Sequence, residues 1–180
     1  MESMNDLKDL LNYEVQCLAM AETQIIEAMP AMMEKAHNPQ LRQALEQHLR
    51  ITEQQRDRLN QVMEQLGEAS DASVFSSMPA GEMRSQAMEG LIADGQKLLS
   101  LGLRPEVMDA ALIGCAQKIE HLEIAGYGTA RTYAEQLGLV DVAQLLQQTL
   151  MEEHDADERL TTLAVQRVNQ EAEAGATANG

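Results

Sequence analysis

The residues of this chain best suited to chemistry lie in Gln117-Lys118-Ile119-Glu120-His121-Leu122-Glu123, within a long alanine- and leucine-rich run of helical periodicity. Glu120 and Glu123 stand one helical turn apart, and with Ile113, Ala116 and Tyr127 they follow the i, i+3, i+4 spacing of one helix face. Two carboxylates therefore point the same way as residues that should be buried. A buried carboxylate is costly unless it is paired, protonated or bound to a metal, so other stretches are expected to bring partners to the same level. Two stretches carry an acid where an apolar stripe requires an apolar residue. Glu22 interrupts the run Leu11, Val15, Leu18, Ile25 or Ile26, Met29, and Glu153 interrupts Leu146, Thr149, Ala156, Leu160, Leu163.

The elements that must position these acids are all helical. Met, Ala, Leu, Glu and Gln dominate and aromatic residues make up 2 % of the chain, a composition of strong helix formers with few strand formers. A first helix is expected from Asn5 or Asp6 to about Lys35, with a kink or break near Ala28 to Pro30. Asn38-Pro39 pairs a capping residue with proline at the first helical position and opens a second helix running to Leu66, stopped by Gly67. Its stripe, Leu41, Leu45, His48, Thr52, Gln55, Leu59, Val62 and Leu66, is polar in the middle. Ser, Asp, Gly and Pro from Glu68 to Gly81 form one long connection, followed by a short helix over about Glu82 to Leu101. Pro105 opens a helix ending at Leu137 and Gly138, and a last helix spans about Val140 to Asn169. The expected domain covers residues 1–170, with a disordered tail over 171–180.

Four long helices with short links inside each pair and a long crossover between pairs predict an all-α, ferritin-like four-helix bundle whose crossover contains an extra short helix. An up-down bundle with a decorated loop is the alternative. In an antiparallel hairpin, residues equally far from the turn lie at one height. Counting from a first turn near residues 37 and 38 sets Glu22 level with Glu53, beside Thr52. Counting from a second turn near 138 and 139 sets Glu123 level with Glu153 and His154, and Glu120 level with Asp157. The predicted cluster is Glu22, Glu53, Glu120, Glu123, Glu153 and Asp157, with His48 and Tyr127 as ligands or hydrogen-bonding neighbours. His154 points about 100° away from Glu153.

Six carboxylates cannot all be ionised in a bundle core without positive charge between them. Two metal ions would supply it, and oxygen-rich ligation with some imidazole suits iron or manganese; a basic side chain reaching inward, with Arg56 the candidate, would supply it without metal. The formal charge of −16 repels nucleic acid and anionic membranes. Neither a signal peptide nor a long apolar span is present, which makes a cytoplasmic protein the expectation. Cys17 and Cys115 read as buried thiols, and the 12 methionines as core filling.

Several stretches together, Ala21-Glu22-x-Gln24, His48-Leu49-x-x-Thr52, Ala87-Met88-Glu89-Gly90-Leu91-Ile92, Asp109-Ala110-Ala111-Leu112-Ile113, Glu120-His121-x-Glu123-Ile124-Ala125-x-Tyr127-Gly128-Thr129 and Glu152-Glu153-x-x-x-Asp157, resemble the bacterial YciF-like family of ferritin-like proteins over about residues 5–168. The resemblance implies a bundle that is commonly a homodimer, an association with stress responses, and a rubrerythrin-like two-metal site. The chain departs from the usual ferritin-like pattern at Arg50-x-x-Glu53, where Glu-x-x-His is the rule, and after Glu153, where Ala156 and Asp157 stand instead of His. Two functions follow as expectations: a di-iron or di-manganese protein with oxidase- or peroxidase-like handling of oxygen or peroxide, or a non-catalytic bundle with structural acids that acts through dimerisation or a protein partner.

Overall fold

The computed structural model describes residues 4–67 and 84–177, with side chains to Ala174. The helices are α1 (Leu7–Lys35), α2 (Pro39–Gln65), α3 (Gln86–Leu99), α4 (Pro105–Gln136) and α5 (Val140–Leu163); a π-helical turn over Ala164–Val168 leads into α6 (Asn169–Thr177). Among the described residues there is no strand. The expected connection from Glu68 to Gly81 lies outside the described residues.

Local signals set most of the boundaries. Asp6 Oδ1 accepts from the Asp9 N–H, and Asn38 Oδ1 accepts from the N–H groups of Gln40 and Leu41, capping α1 and α2. Gly67 and Gly138 take φ values of 80° and 70° just past the ends of α2 and α4, a left-handed conformation that glycine reaches without a Cβ penalty. The short helix starts at Gln86 with Ser85 as its cap, and the expected start at Glu82 lies outside the described residues. α1 runs through Pro30 without a break. Pro30 is exposed, so its ring projects from the solvent face of the helix, where water can serve the carbonyl it leaves unbonded. The chain also stays helical to Thr177, past the expected end at Asn169. Val168 is buried, and the Arg104 guanidinium donates to the Ala172 carbonyl at 3.0 Å, which ties this extension down.

Contacts between helices fix the topology. Leu18 of α1 lies against Gly126 of α4, and the turn after α1 lies against Asp109 near the start of α4, so α1 and α4 are antiparallel. Gln55 of α2 meets Glu153 of α5 and Arg58 meets Thr149, so α2 and α5 are antiparallel. Each hairpin being antiparallel too, α2 and α4 run parallel, as the long crossover predicts. α3 lies over α1 and α4, where Gln24 accepts from the Ser85 N–H at 2.7 Å and Gly95 abuts Cys115.

Asp109 joins the two halves at one end. It is buried, and its two oxygens accept from the backbone N–H groups of His37 and Asn38 at 2.7 and 2.8 Å. Removing the carboxylate leaves two donors at the α1–α2 turn without their acceptor, and hydrogen bonds to charged groups are worth about 1.5–3 kcal/mol. Asp109→Ala is expected to destabilise the protein by about 2–3 kcal/mol in urea unfolding, with Asp109→Asn intermediate. An unchanged midpoint would contradict this role.

The apolar core is divided. One cluster includes Ile25, Met29, Leu41, Leu45, Leu112, Ile113 and Leu160; the other includes Leu11, Val15, Leu59, Val62, Tyr127, Val142 and Leu146. Between them lies a layer of buried polar side chains.

Candidate metal centre

That layer draws on all four long helices. α1 contributes Glu22, α2 His48, Thr52 and Gln55, α4 Glu120 and Glu123, and α5 Thr149 and Glu153; all are buried, and the four glutamates are at most 1 % exposed. Each glutamate stands on its helix where an apolar neighbour would otherwise fill the core, so the spacing that buries Leu18 and Ile25, or Leu146 and Leu160, also buries the acid between them.

One ligand atom from each of His48, Glu120, Glu123 and Glu153 lies within 4.8 Å of the others. His48 Nε2 is 3.4 Å from Glu120 Oε1. Glu22 adjoins this group through Glu123, the two carboxyls being close enough to hydrogen-bond, and Glu120 and Glu153 form a similar pair. A carboxyl donates only when protonated, so each pair shares a proton when no cation is bound. Apart from such sharing, no hydrogen bond reaches Glu22 Oε2, Glu120 Oε2, Glu123 Oε1, Glu153 Oε2 or His48 Nε2. Four carboxylate oxygens and an imidazole nitrogen, buried together without partners, are the donor set of a hard or borderline divalent cation. These residues fit iron or manganese.

The electrostatics agree. Burial, then the Glu153 charge, raise the Glu22 carboxyl to about 8. Burial and neighbouring acids hold Glu120 and Glu123 well above the usual carboxylate range. Burial lowers His48, keeping its imidazole neutral and able to ligate. Burial and the same acids push the Tyr127 phenol well above its ordinary value, so its O–H stays protonated and donates to Glu22 Oε1.

A basic group flanks the layer. Arg58, 9 % exposed, donates from Nη1 to Thr149 Oγ1 at 2.5 Å and makes a two-pronged pair with Glu152 at 2.9 and 3.0 Å. Gln55 Nε2 donates to Glu152 at 3.2 Å and to Glu153 Oε1. Burial alone would raise the Glu152 carboxyl, but the bonds from Arg58, Gln148 and Gln55 outweigh it and bring it below the ordinary value.

Of the six acids expected from the sequence, the structure brings together Glu22, Glu120, Glu123 and Glu153. It turns Glu53 to solvent, because the buried stripe of α2 passes through His48, Thr52 and Gln55 and leaves Glu53 about 100° off it. Asp157 sits at the rim, its side chain 22 % exposed, accepting from Gln117 at 2.9 Å and lying 3.5 Å from His121. His48 joins the inner group, and Tyr127 is a hydrogen-bond donor to it. The inward basic residue is Arg58, not Arg56, which pairs with Asp57 at the surface. Cys115 is buried but Cys17 is only partly so. Gln55, Arg58 and Glu152 were absent from the expected site; the signal for Arg58 was its place one turn after Gln55 on the inward stripe.

Comparisons with known proteins agree with this architecture. The family model described as a domain of unknown function, DUF892, matches residues 6–173. The chain is 39 % identical over 171 residues to protein YciF of Escherichia coli (strain K12), covering 95 % of this chain and 98 % of YciF. Among solved structures it is similar to the E. coli stress protein YciF, with TM-score 0.80 and 38 % identity over 92 % of this chain and 99 % of that one. It is similar to YcfI of Rhodopseudomonas palustris, with TM-score 0.81 and 35 % identity over 89 % and 96 %. A Xanthomonas campestris protein, 22 % identical with TM-score 0.69, shares the fold.

Proposed function

This chain belongs to the DUF892 family that includes YciF, and on that footing we propose that it is a stress-associated, ferritin-like metalloprotein whose buried acids hold a two-ion iron or manganese centre that handles oxygen or peroxide. The observation that carries this reading is the set of buried, unpartnered donor atoms on His48, Glu120, Glu123 and Glu153, with Glu22 beside them. His48, Glu120, Glu123 and Glu153 would hold one ion, and Glu22, beside Glu123, would help to hold a second. Bound there, iron or manganese supplies Lewis-acid and one-electron chemistry. The protein's own part is positional. Gln55 fixes one oxygen of Glu153, the Tyr127 O–H holds a proton at Glu22 Oε1, and the apolar clusters close the site off along the bundle axis. Exposed Leu137 and Val140 at the α4–α5 turn supply apolar area for the homodimer that we include in this reading.

Metal content and peroxide consumption after anaerobic loading with Fe(II) test it. Wild type is expected to retain about two ions per chain and to consume peroxide, while a Glu120→Ala, Glu153→Ala double variant loses at least about 100-fold in metal affinity and the peroxide activity with it. Identical behaviour of the two proteins would sink the proposal. Retention below about 0.2 ions per chain would favour the non-catalytic bundle, to which Gln55 and Tyr127 already lend support by satisfying one oxygen each of Glu153 and Glu22.

A further inference from the structure

A cleft between α2 and α5 opens onto the His48 side of the centre. It measures about 100 Å³, and His48 and Glu120 both line it. Each presents an unpartnered atom, His48 Nε2 and Glu120 Oε2, from a side chain at least nine-tenths buried. Most of the wall is apolar, formed by Ala44, Leu45, Ile51, Ala156 and Leu160, and Gln47 and Glu152 add polar surface to it. Ala44 and Ala156 leave the space open because neither has atoms beyond Cβ. Asp155 and Arg159 line it as well, and with Glu120 and Glu152 the acids of the lining outnumber its one arginine.

We infer that this cleft is a binding site and entry path for a small, uncharged ligand that reaches the ion held by His48 and Glu120; the inference rests on the metal reading above. Size limits the ligand. A water molecule occupies about 30 Å³ of liquid, and sites for organic substrates run to about 300–1,000 Å³, so the cleft admits molecules of a few heavy atoms. Charge limits it too. An ion passing a mostly apolar wall loses hydration, whereas a neutral molecule loses little, and Glu152 and Asp155 in the lining disfavour anions. Molecules of the size and neutrality of dioxygen or hydrogen peroxide satisfy both limits. A wider groove bordered by Glu14, Cys17 and Arg84 opens near Glu123 on the opposite side; its polar border suits ions better than neutral molecules.

Nitric oxide, a neutral diatomic that gives an optical and paramagnetic signal on binding Fe(II), is the probe. The full-length protein is loaded anaerobically with Fe(II), its iron content is measured, and it is mixed with nitric oxide in a stopped-flow instrument. Ala156→Leu and, separately, Ala44→Leu fill the cleft without touching a ligand atom. Each is expected to keep wild-type iron content and to slow nitric oxide binding at least about tenfold. Wild-type rates in both variants, with iron retained, would overturn the cleft assignment and leave the metal reading intact. Failure of wild type to bind Fe(II) would remove the metal reading and the cleft's role together. Size selection in the unaltered protein decides the matter if either variant misfolds: tert-butyl isocyanide, neutral but bulky, is expected to bind far more slowly than methyl isocyanide, and equal rates would overturn the proposal.

Discussion

Metal-free protein is expected to lose several kcal/mol of stability as pH rises from about 5 to about 8, and saturating Mn(II) is expected to abolish or reverse that slope. Glu22 has an ordinary carboxyl value of 4.5 and a folded value of about 8. Below 4.5 both folded and unfolded chains hold its proton, and the stabilisation is fully present. Between the two values the unfolded chain releases a proton that the folded chain retains, so stability falls with pH until the loss is complete above about 8. Each pH unit of that interval is worth about 1.4 kcal/mol, which makes Glu22 alone a contributor on the order of 4 kcal/mol. Glu120 and Glu123 are shifted in the same direction.

His48 works the other way. Its folded value is lowered from 6.5, so its contribution is present above that pH and is lost as pH falls. Acids and imidazole therefore oppose one another just below about 6.5, and the acids act alone from about 6.5 to 8, where the slope should be steepest. A bound cation replaces the shared protons, and its affinity rises with pH as they leave. Urea midpoints measured across this range in EDTA, and again in Mn(II), check the claim. Glu123→Gln should flatten the EDTA curve and weaken the response to Mn(II); a flat EDTA curve in wild type would contradict the shared-proton description.

How far the sequence revealed this centre depends on the helix. Where an acid interrupts a strongly apolar stripe, as Glu22 and Glu153 do, the neighbours dictate its direction, and counting from the turns then sets Glu123 level with Glu153. α2 offers no such guide. The apolar residues at either end of its stripe direct Thr52 and Gln55 inward, but neither is an acid, and counting from the turn matches Glu22 with the neighbouring Glu53, which lies off that stripe. Counting from a turn also fixes heights only within one hairpin and leaves the offset between the two hairpins open. His48 lies about one turn from the Glu22 level, yet it meets Glu120. α4 runs parallel to α2 and Asp109 meets His37 at one end, so His48 and Glu120, each about eleven positions further along, stand at one height. Arg58 escaped notice because the longer-range pairing that holds it, with Thr149 and Glu152, depends on the α2–α5 register, which no turn fixes.

That register makes Arg58 the residue whose replacement should be most damaging outside the proposed ligands. Arg58→Met keeps the aliphatic stem but removes the guanidinium from Glu152 and Thr149. Breaking a buried pair from one side costs about 3–5 kcal/mol because a buried charge is left behind; the Glu152 side chain is 27 % exposed, so water relieves part of this and about 3 kcal/mol is expected. Adding Glu152→Leu should recover much of the loss, since the stranded carboxylate goes with it. The centre should respond separately. Arg58 lowers the Glu22 carboxyl through its charge, so without it Glu22 holds its proton to a higher pH and a metal ion competes less well. Mn(II) affinity near neutral pH should fall in Arg58→Met and return at higher pH. The Glu152→Leu partner should restore stability without restoring affinity, because the lost positive charge, not the lost pair, is what the cation site feels. A double variant that regains both would mean that Arg58 acts on the centre only through packing.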